Sequence, residues 1–235
     1  MPLITCQSRV AAVRTLTHDV RELTFALTDP PAFPFLAGQY VAFRAPAPDK
    51  PKGASRLYSL CSPPSEEGTL RVVYNFVGGP GTAYLHTLNV GDAVEFKGPS
   101  GKFLFQTEST RDALFVATGT GIGPFRSMLL EYLQTMHQRK LTVLWSVRQE
   151  RDLYYQDEFR ALEQRYPHFR FCMTLTRPTG DWQGLRGRVT AIFPEHFPSV
   201  DNLEVYVCGH ENMITQMQQL CDARGGCPFY REIYY

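Results

Sequence analysis

Hydrophobic positions follow two rhythms along this chain. Up to about Phe105 they come in short runs of strand length, Val10 to Thr15, Val20 to Leu27, Tyr40 to Ala45, Leu57 to Cys61, Leu70 to Phe76 and Ala93 to Lys97, with Gly and Pro between them. Runs so short and so regularly punctuated predict an antiparallel β barrel or sandwich. Only Thr82 to Leu88 reads as helix in that part. From Asp112 strand and helix alternate: strand to Ala117, helix to Arg139, strand Leu141 to Val147, helix Leu153 to Arg165, strand Phe169 to Leu175. A Gly- and Pro-rich stretch follows, then strand Leu203 to Cys208, helix Glu211 to Arg224 closed by Gly225-Gly226, and a final aromatic strand. Such alternation predicts an α/β, doubly wound parallel sheet covered on both faces. The rhythm changes between Gly98 and Thr110, so two domains are expected, 1–105 and 106–235.

Composition narrows the function classes. With 43% hydrophobic and 20% charged residues the chain packs rather than stays disordered. Lys plus Arg number 24 against 23 Asp plus Glu, a net charge of +1, so no global field draws it to nucleic acid or an anionic membrane, and neither is expected as a partner. The first residues lack a basic region followed by an apolar core, and no apolar run is long enough to span a bilayer, so a cytoplasmic location is expected. Cys6, Cys61, Cys172, Cys208, Cys221 and Cys227 show neither zinc-type pairs nor iron-sulfur spacing, and no two of the six histidines stand at i, i+4; no metal site is expected.

The stretch that carries chemistry is Val116-Ala117-Thr118-Gly119-Thr120-Gly121-Ile122-Gly123-Pro124. It reads as strand, glycine turn and helix start, which leaves bare amides at the positive end of a helix dipole, a setting that suits a phosphate or pyrophosphate. In a parallel sheet ligands bind beyond the carboxyl ends of the strands. Ser146-Val147-Arg148 and Cys208-Gly209-His210 end two other strands at that same edge. In the first domain strand alternation puts Arg56 and Tyr58 of Arg56-Leu57-Tyr58-Ser59 on one face, and Gly78-Gly79-Pro80-Gly81-Thr82 opens its lone helix as a second anion site. Each of these residues alone has an ordinary structural reading; their joint position favours two phosphate-bearing cofactors.

Those motifs, with Gly98-Pro99-Ser100-Gly101-Lys102-Phe103 and Val207-Cys208-Gly209, run in the order and spacing of the ferredoxin-NADP+ reductase family, and the chain resembles its bacterial members over nearly its whole length. The resemblance implies an FAD-binding barrel followed by an NADP(H)-binding domain, with hydride passing from nicotinamide C4 to flavin N5. It implies that Tyr58 packs on the flavin, that Ser59 lies near N5, and that Arg56 with Leu57 lines the cofactor, Arg56 at the pyrophosphate. Gly79, Gly81 and Thr82 would add phosphate contacts. Thr118, Gly119, Thr120 and Gly121 would underlie the nicotinamide nucleotide, and Cys208 and Gly209 would lie beside its reacting ring. From the terminal Tyr230-Arg231-Glu232-Ile233-Tyr234-Tyr235, Glu232 would supply a carboxylate and either Tyr234 or Tyr235 would cover the flavin and gate access. Ser59, Cys208, Glu232 and Tyr235 are therefore the catalytic candidates.

Arg148, Arg177 and Arg188 follow successive strands or the turn after them, and their placement resembles the clamp on the 2′-phosphate of NADPH. The expected protein is a monomer exchanging electrons between NADPH and ferredoxin or flavodoxin. Two rivals are an NADH-using reductase component of an oxygenase system and a non-catalytic nucleotide-binding sensor or subunit.

Overall fold

The computed structural model describes residues 3–47 and 50–234. The chain divides into two compact units, Met1–Phe105 with Gly123–Glu131, and Gln106–Ile122 with Tyr132–Tyr235.

In the first unit six strands, β1 (Ile4–Thr15), β2 (Val20–Asp29), β3 (Tyr40–Ala47), β4 (Lys50–Ser59), β5 (Thr69–Asn75) and β6 (Ala93–Ser100), with one helix, α1 (Pro80–Thr87), account for the expected runs. They form an antiparallel sheet in the order β4-β3-β6-β1-β2-β5. A bridge between Leu60 and Val72 and the bond from the Cys61 amide to the Arg71 carbonyl (2.9 Å) join the last strand to the first and close the curl. Register shifts between β1 and β2, one with the extra residue Thr28 on β2 and one with Ala11 on β1, supply the extra residues that bend strands around a barrel. Alternate positions point inward: Cys6, Val10, Leu23, Phe25, Phe43 and Phe96 are buried, and Phe25, Phe43 and Phe96 pack ring on ring at 5.3 to 6.1 Å. Leu85 of α1 adds to this core. Residues Gly123–Glu131 lie on α2 (Ile122–Tyr132) and belong to this unit; Arg126 and Ser127 donate to the carbonyls of Cys61 and Ser62, each at 2.6 Å.

The second unit is a six-stranded parallel sheet of β7 (Asp112–Thr118), β8 (Leu141–Val147), β9 (Phe169–Leu175), β10 (Leu185–Arg186), β11 (Leu203–Gly209) and β12 (Phe229–Ile233), ordered β10-β9-β8-β7-β11-β12. Helices α4 (Val189–His196) and α5 (Glu211–Asp222) cover one face, packing on Leu114, Val116, Leu144, Val205 and Val207. On the other face Phe159 of α3 (Gln156–Arg165) meets Trp145 and Phe171. Every residue of β11 is buried, which is why its sequence is almost continuously apolar. Among the described residues no helix is long and apolar enough to cross a membrane.

In the first unit β1 and β4 begin at Ile4 and Lys50, ahead of the expected Val10 and Leu57, and β4 ends at Ser59 rather than Cys61; in the second α5 ends at Asp222 rather than Arg224, and larger differences follow. Helix α2 stops at Tyr132 rather than Arg139: Thr135 returns both its amide and its hydroxyl to the Tyr132 carbonyl at 3.0 Å, and such local bonds compete with the helix. Helix α3 begins at Gln156, not Leu153, because Tyr155 takes a left-handed φ of 52° and Glu150–Asp152 forms its own 3-10 turn, closed by a capping box between Gln149 and Asp152. The Gly- and Pro-rich stretch hides β10 and α4, whose eight residues include Pro194.

Early termination of α2 lets Arg139 turn inward. Its guanidinium pairs with Glu204 of β11 and donates to the carbonyls of Gln106 (2.9 Å) and Ser109 (3.0 Å). The Tyr206 hydroxyl donates to the same carboxylate at 2.7 Å and accepts from the Gln106 amide at 3.0 Å. Arg139 and Glu204 are 5% and 1% exposed, so removing one charge strands the other in low dielectric. Glu204→Ala is expected to lower unfolding free energy by about 3–5 kcal/mol, measured by urea denaturation; a loss within experimental scatter would show that the pair contributes no more than a surface bridge.

Candidate active site

The glycine turn Gly119–Gly121 follows β7, which lies between β8 and β11, so the carboxyl ends of three adjacent strands share one edge. Thr118 ends β7, and the turn is gripped from both sides. From β8 the Trp145 indole donates to the Gly119 carbonyl at 2.9 Å. From β11 the backbone of Cys208 comes so close that a Cβ on Gly121 would overlap the Cys208 carbonyl, while a Cβ on Gly209 would overlap the Thr118 hydroxyl. Gly119 (φ 51°) and Gly209 (φ 146°) also adopt backbone that disfavours side chains. Space beside Gly119 is open, and Thr120 is half-buried at the same turn. The turn is thus rigid and presents backbone at the start of α2.

Parallel pairing of β11 with β12 sets Cys208 opposite Glu232 and Gly209 opposite Ile233, and the Tyr234 amide donates to the Gly209 carbonyl at 2.9 Å. Four of the predicted site residues, Cys208, Gly209, Glu232 and Tyr234, meet here. Burial pushes the Cys208 thiol well above its ordinary range, the Glu232 carboxylate raises it further, and a hydrogen bond with the Tyr234 side chain pulls the other way. Cys208 is therefore a neutral thiol at physiological pH. Tyr235 lies outside the described residues.

The three predicted arginines end or follow adjacent strands. Arg148 follows β8, Arg177 follows β9 and donates its amide to the Arg148 carbonyl at 2.8 Å, and Arg188 follows β10 as the N-cap of α4. All are exposed, and none has a carboxylate partner among the described residues. The start of α4 has no side-chain cap, so its dipole adds to their positive field.

In the first unit Arg56 and Tyr58 do share a face, and it is the face that meets α1: a Cβ on Gly81 would crowd the Tyr58 hydroxyl and the Arg56 side chain. Tyr58 packs edge-on against Phe43 at 5.7 Å. Burial, with a further push from Tyr74, raises its phenol to about 12, against a lowering by Arg56. Leu57, 57% exposed, and Ser59, buried, occupy the opposite face. Helix α1 starts at Pro80 after Gly79 without a side-chain cap, the Thr82 hydroxyl donates to the Gly79 carbonyl at 3.1 Å, and nothing stands beside Gly78 or Gly79. Arg56 has no acidic partner among the described residues and donates to the Ser55 carbonyl at 3.0 Å. A cation without a counter-ion beside an uncapped helix start fits the pyrophosphate of a flavin dinucleotide.

Residues 7–105 match the family model for the oxidoreductase FAD-binding domain, and residues 115–219 match the oxidoreductase NAD-binding domain. The chain is 36% identical over 231 residues to "Ferredoxin--NADP reductase B" of Sorangium cellulosum (strain So ce56), covering 94% of this chain and 93% of that relative. The chain belongs to the ferredoxin-NADP reductase family. The reductase is also 33% identical to the phenol 2-monooxygenase reductase component DmpP of Pseudomonas sp. (strain CF600), over 87% of this chain but 58% of that protein. The crystal structure of the Amycolatopsis cytochrome P450 reductase GcoB superposes with a TM-score of 0.89 at 27% identity, over 99% of this chain and 70% of that one. The protein is accordingly an oxidoreductase with FAD-binding and nicotinamide-nucleotide-binding domains.

Trp145 was not legible as a site residue, since within an apolar strand nothing marks an indole that will bond a turn carbonyl.

Gly121→Ala is expected to weaken nicotinamide-nucleotide binding by about tenfold or more while FAD content stays normal; binding by titration at wild-type strength would show that the turn tolerates a shift away from Cys208. Cys208 is expected to resist iodoacetamide in the native protein at pH 7 and to react once unfolded, read by peptide mass spectrometry; rapid native labelling would contradict a buried neutral thiol.

Proposed function

We propose that the reductase passes electrons between NADPH and a small one-electron carrier, ferredoxin or flavodoxin. The observation that carries this reading is the set of Arg148, Arg177 and Arg188 at adjacent strand ends without acidic partners, since a 2′-phosphate is what distinguishes NADPH from NADH. Support comes also from the near full-length match to a relative named for ferredoxin and NADP. Bound FAD supplies the conversion between a two-electron hydride and single electrons. The chain's own residues bind and orient. Arg56, Gly79, Gly81 and Thr82 hold phosphate at the start of α1, Tyr58 gives the ring an apolar bed, Leu57 lines the cofactor through its backbone, and Ser59 offers a hydroxyl at the reacting edge. Thr118, Gly119, Thr120 and Gly121 cradle the nicotinamide nucleotide. Cys208, neutral and flanked by Gly209, Glu232 and Tyr234, gives the nicotinamide a neutral wall that does not attack it.

A second reading, an NADH-using reductase component of an oxygenase, is favoured by the likeness to the phenol monooxygenase component. Anaerobic titration of the FAD-loaded protein separates the two: the flavin absorbance is expected to bleach at much lower NADPH than NADH, and Arg177→Ala is expected to raise KM for NADPH about tenfold or more with little change for NADH. Preference for NADH in the wild type would move the assignment to the oxygenase component. A flavin that neither nucleotide reduces would favour a non-catalytic binder.

A further inference from the structure

The arginine clamp stands on loops, and loops need something to hold them. Residues 148–152 and 176–180 leave the sheet side by side after β8 and β9, where ladder bonds continue for two residues beyond the strands: the Thr176 amide to the Val147 carbonyl at 3.0 Å and the Arg177 amide to the Arg148 carbonyl at 2.8 Å. Beyond that the two loops are tied by one carboxylate. Glu150 accepts the Thr179 amide on both oxygens at 3.0 Å and the Thr179 hydroxyl at 2.9 Å. Glu150 is itself set by the 3-10 turn it opens, closed by the Gln149 amide on Asp152 at 2.9 Å. On the far side Gly187 is fixed by its amide on the Leu175 carbonyl (2.8 Å) and by the Thr174 hydroxyl on its own carbonyl (2.7 Å), which orients Arg188. Arg186, which donates to the Trp182 carbonyl at 2.7 Å, lies within the electrostatic reach of Glu150.

Glu150 also stands where a carboxylate has a second use. In parallel nucleotide-binding sheets an acidic side chain past the end of the second strand accepts the ribose 2′-hydroxyl of NAD. Of the two carboxylates in residues 148–152, Asp152 accepts the Gln149 amide and Glu150 is engaged by the amide and hydroxyl of Thr179. Those bonds, the backbone bond first, hold its carboxyl below the ordinary range, so it is ionised and clamped at neutral pH.

We propose that Glu150 is the specificity-determining positioning residue of the nucleotide site: by gripping Thr179 it presets the Arg177 loop for a 2′-phosphate and withdraws the carboxylate that a 2′-hydroxyl would need. The proposal rests on the NADPH reading above. It makes a prediction of unusual sign. Electrostatics alone says that deleting a negative charge among Arg148, Arg177, Arg186 and Arg188 should tighten a phosphate-bearing ligand. Positioning says that it should weaken one, because the loop must then be ordered on binding.

The test is the dissociation constants of NADP+ and NAD+ for the FAD-loaded protein, read from flavin difference spectra, in wild type, Glu150→Ala and Glu150→Gln. The Ala variant is expected to lose about tenfold or more in NADP+ affinity, the Gln variant less because it keeps one acceptor, and both to hold NAD+ at or above wild-type strength. Hydrogen exchange at the Thr179 amide is expected to speed up in both variants. An unchanged ratio of the two constants, or tighter NADP+ binding, in a wild-type background that prefers NADP+ overturns the role of Glu150 and leaves the NADPH reading standing. A wild type with no preference overturns the NADPH reading, and the role of Glu150 with it.

Discussion

The nucleotide unit depends on one close approach of backbone to backbone. Where β7 ends and β11 ends, two glycines face each other's neighbours: Gly121 lies against the Cys208 carbonyl and Gly209 against the Thr118 hydroxyl, with no room for a Cβ at either. Glycine at a strand end costs roughly 0.5–1 kcal/mol in chain entropy. That cost is offset by the fully buried β11, whose ladder to β7 runs through six residue pairs from Leu203 to Cys208. The approach makes the turn a fixed object. Trp145 holds its other side through the Gly119 carbonyl, so a phosphate meets amides that need no reordering.

The same tightness determines what Cys208 can be. Its backbone supports the turn and its side chain points among Glu232 and Tyr234, with the residue fully buried. A thiolate there would face a carboxylate in low dielectric, so the sulfur stays protonated and serves as a small polarizable wall. Pairing of β12 with β11 brings Glu232 opposite it and, just past the strand, Tyr234 to the Gly209 carbonyl.

Much of this was readable from residue order. Strand β8 and strand β9 match their predicted runs end to end, because interior parallel strands are dominated by apolar residues and only Thr142, Ser146, Arg170 and Thr174 interrupt them. The Arg56 and Tyr58 pairing followed from alternation alone, and the glycine turn from its composition. What stayed hidden depends on partners far along the chain. Arg139 looks like the tail of a helix until Glu204 is placed opposite it, and only then does the break at Tyr132 have a reason. Trp145 and Glu150 belong to the same class: an indole in an apolar strand and an acid in a charged loop carry no local mark of the Gly119 and Thr179 groups that they hold. Helix α4 escaped because its first residues follow Gly187 and its sixth is Pro194, two residues that ordinarily end helices.

Both units offer a phosphate the same device, glycine at a helix start, yet they differ in charge. Beside α1 one cation, Arg56, accompanies the turn, enough for a pyrophosphate whose charge is the same in every flavin dinucleotide. At the end of the parallel sheet the backbone turn cannot tell one nicotinamide nucleotide from another, because both carry the same pyrophosphate. Discrimination needs groups at the adenosine end, and these must come from other strands. On the proposed reading Arg148, Arg177 and Arg188 would supply them from β8, β9 and the start of α4, where the parallel topology puts successive carboxyl ends in a row. On the proposed reading binding and selectivity are separable: the glycine lock would serve any dinucleotide, and the loops tied by Glu150 would decide which one is preferred.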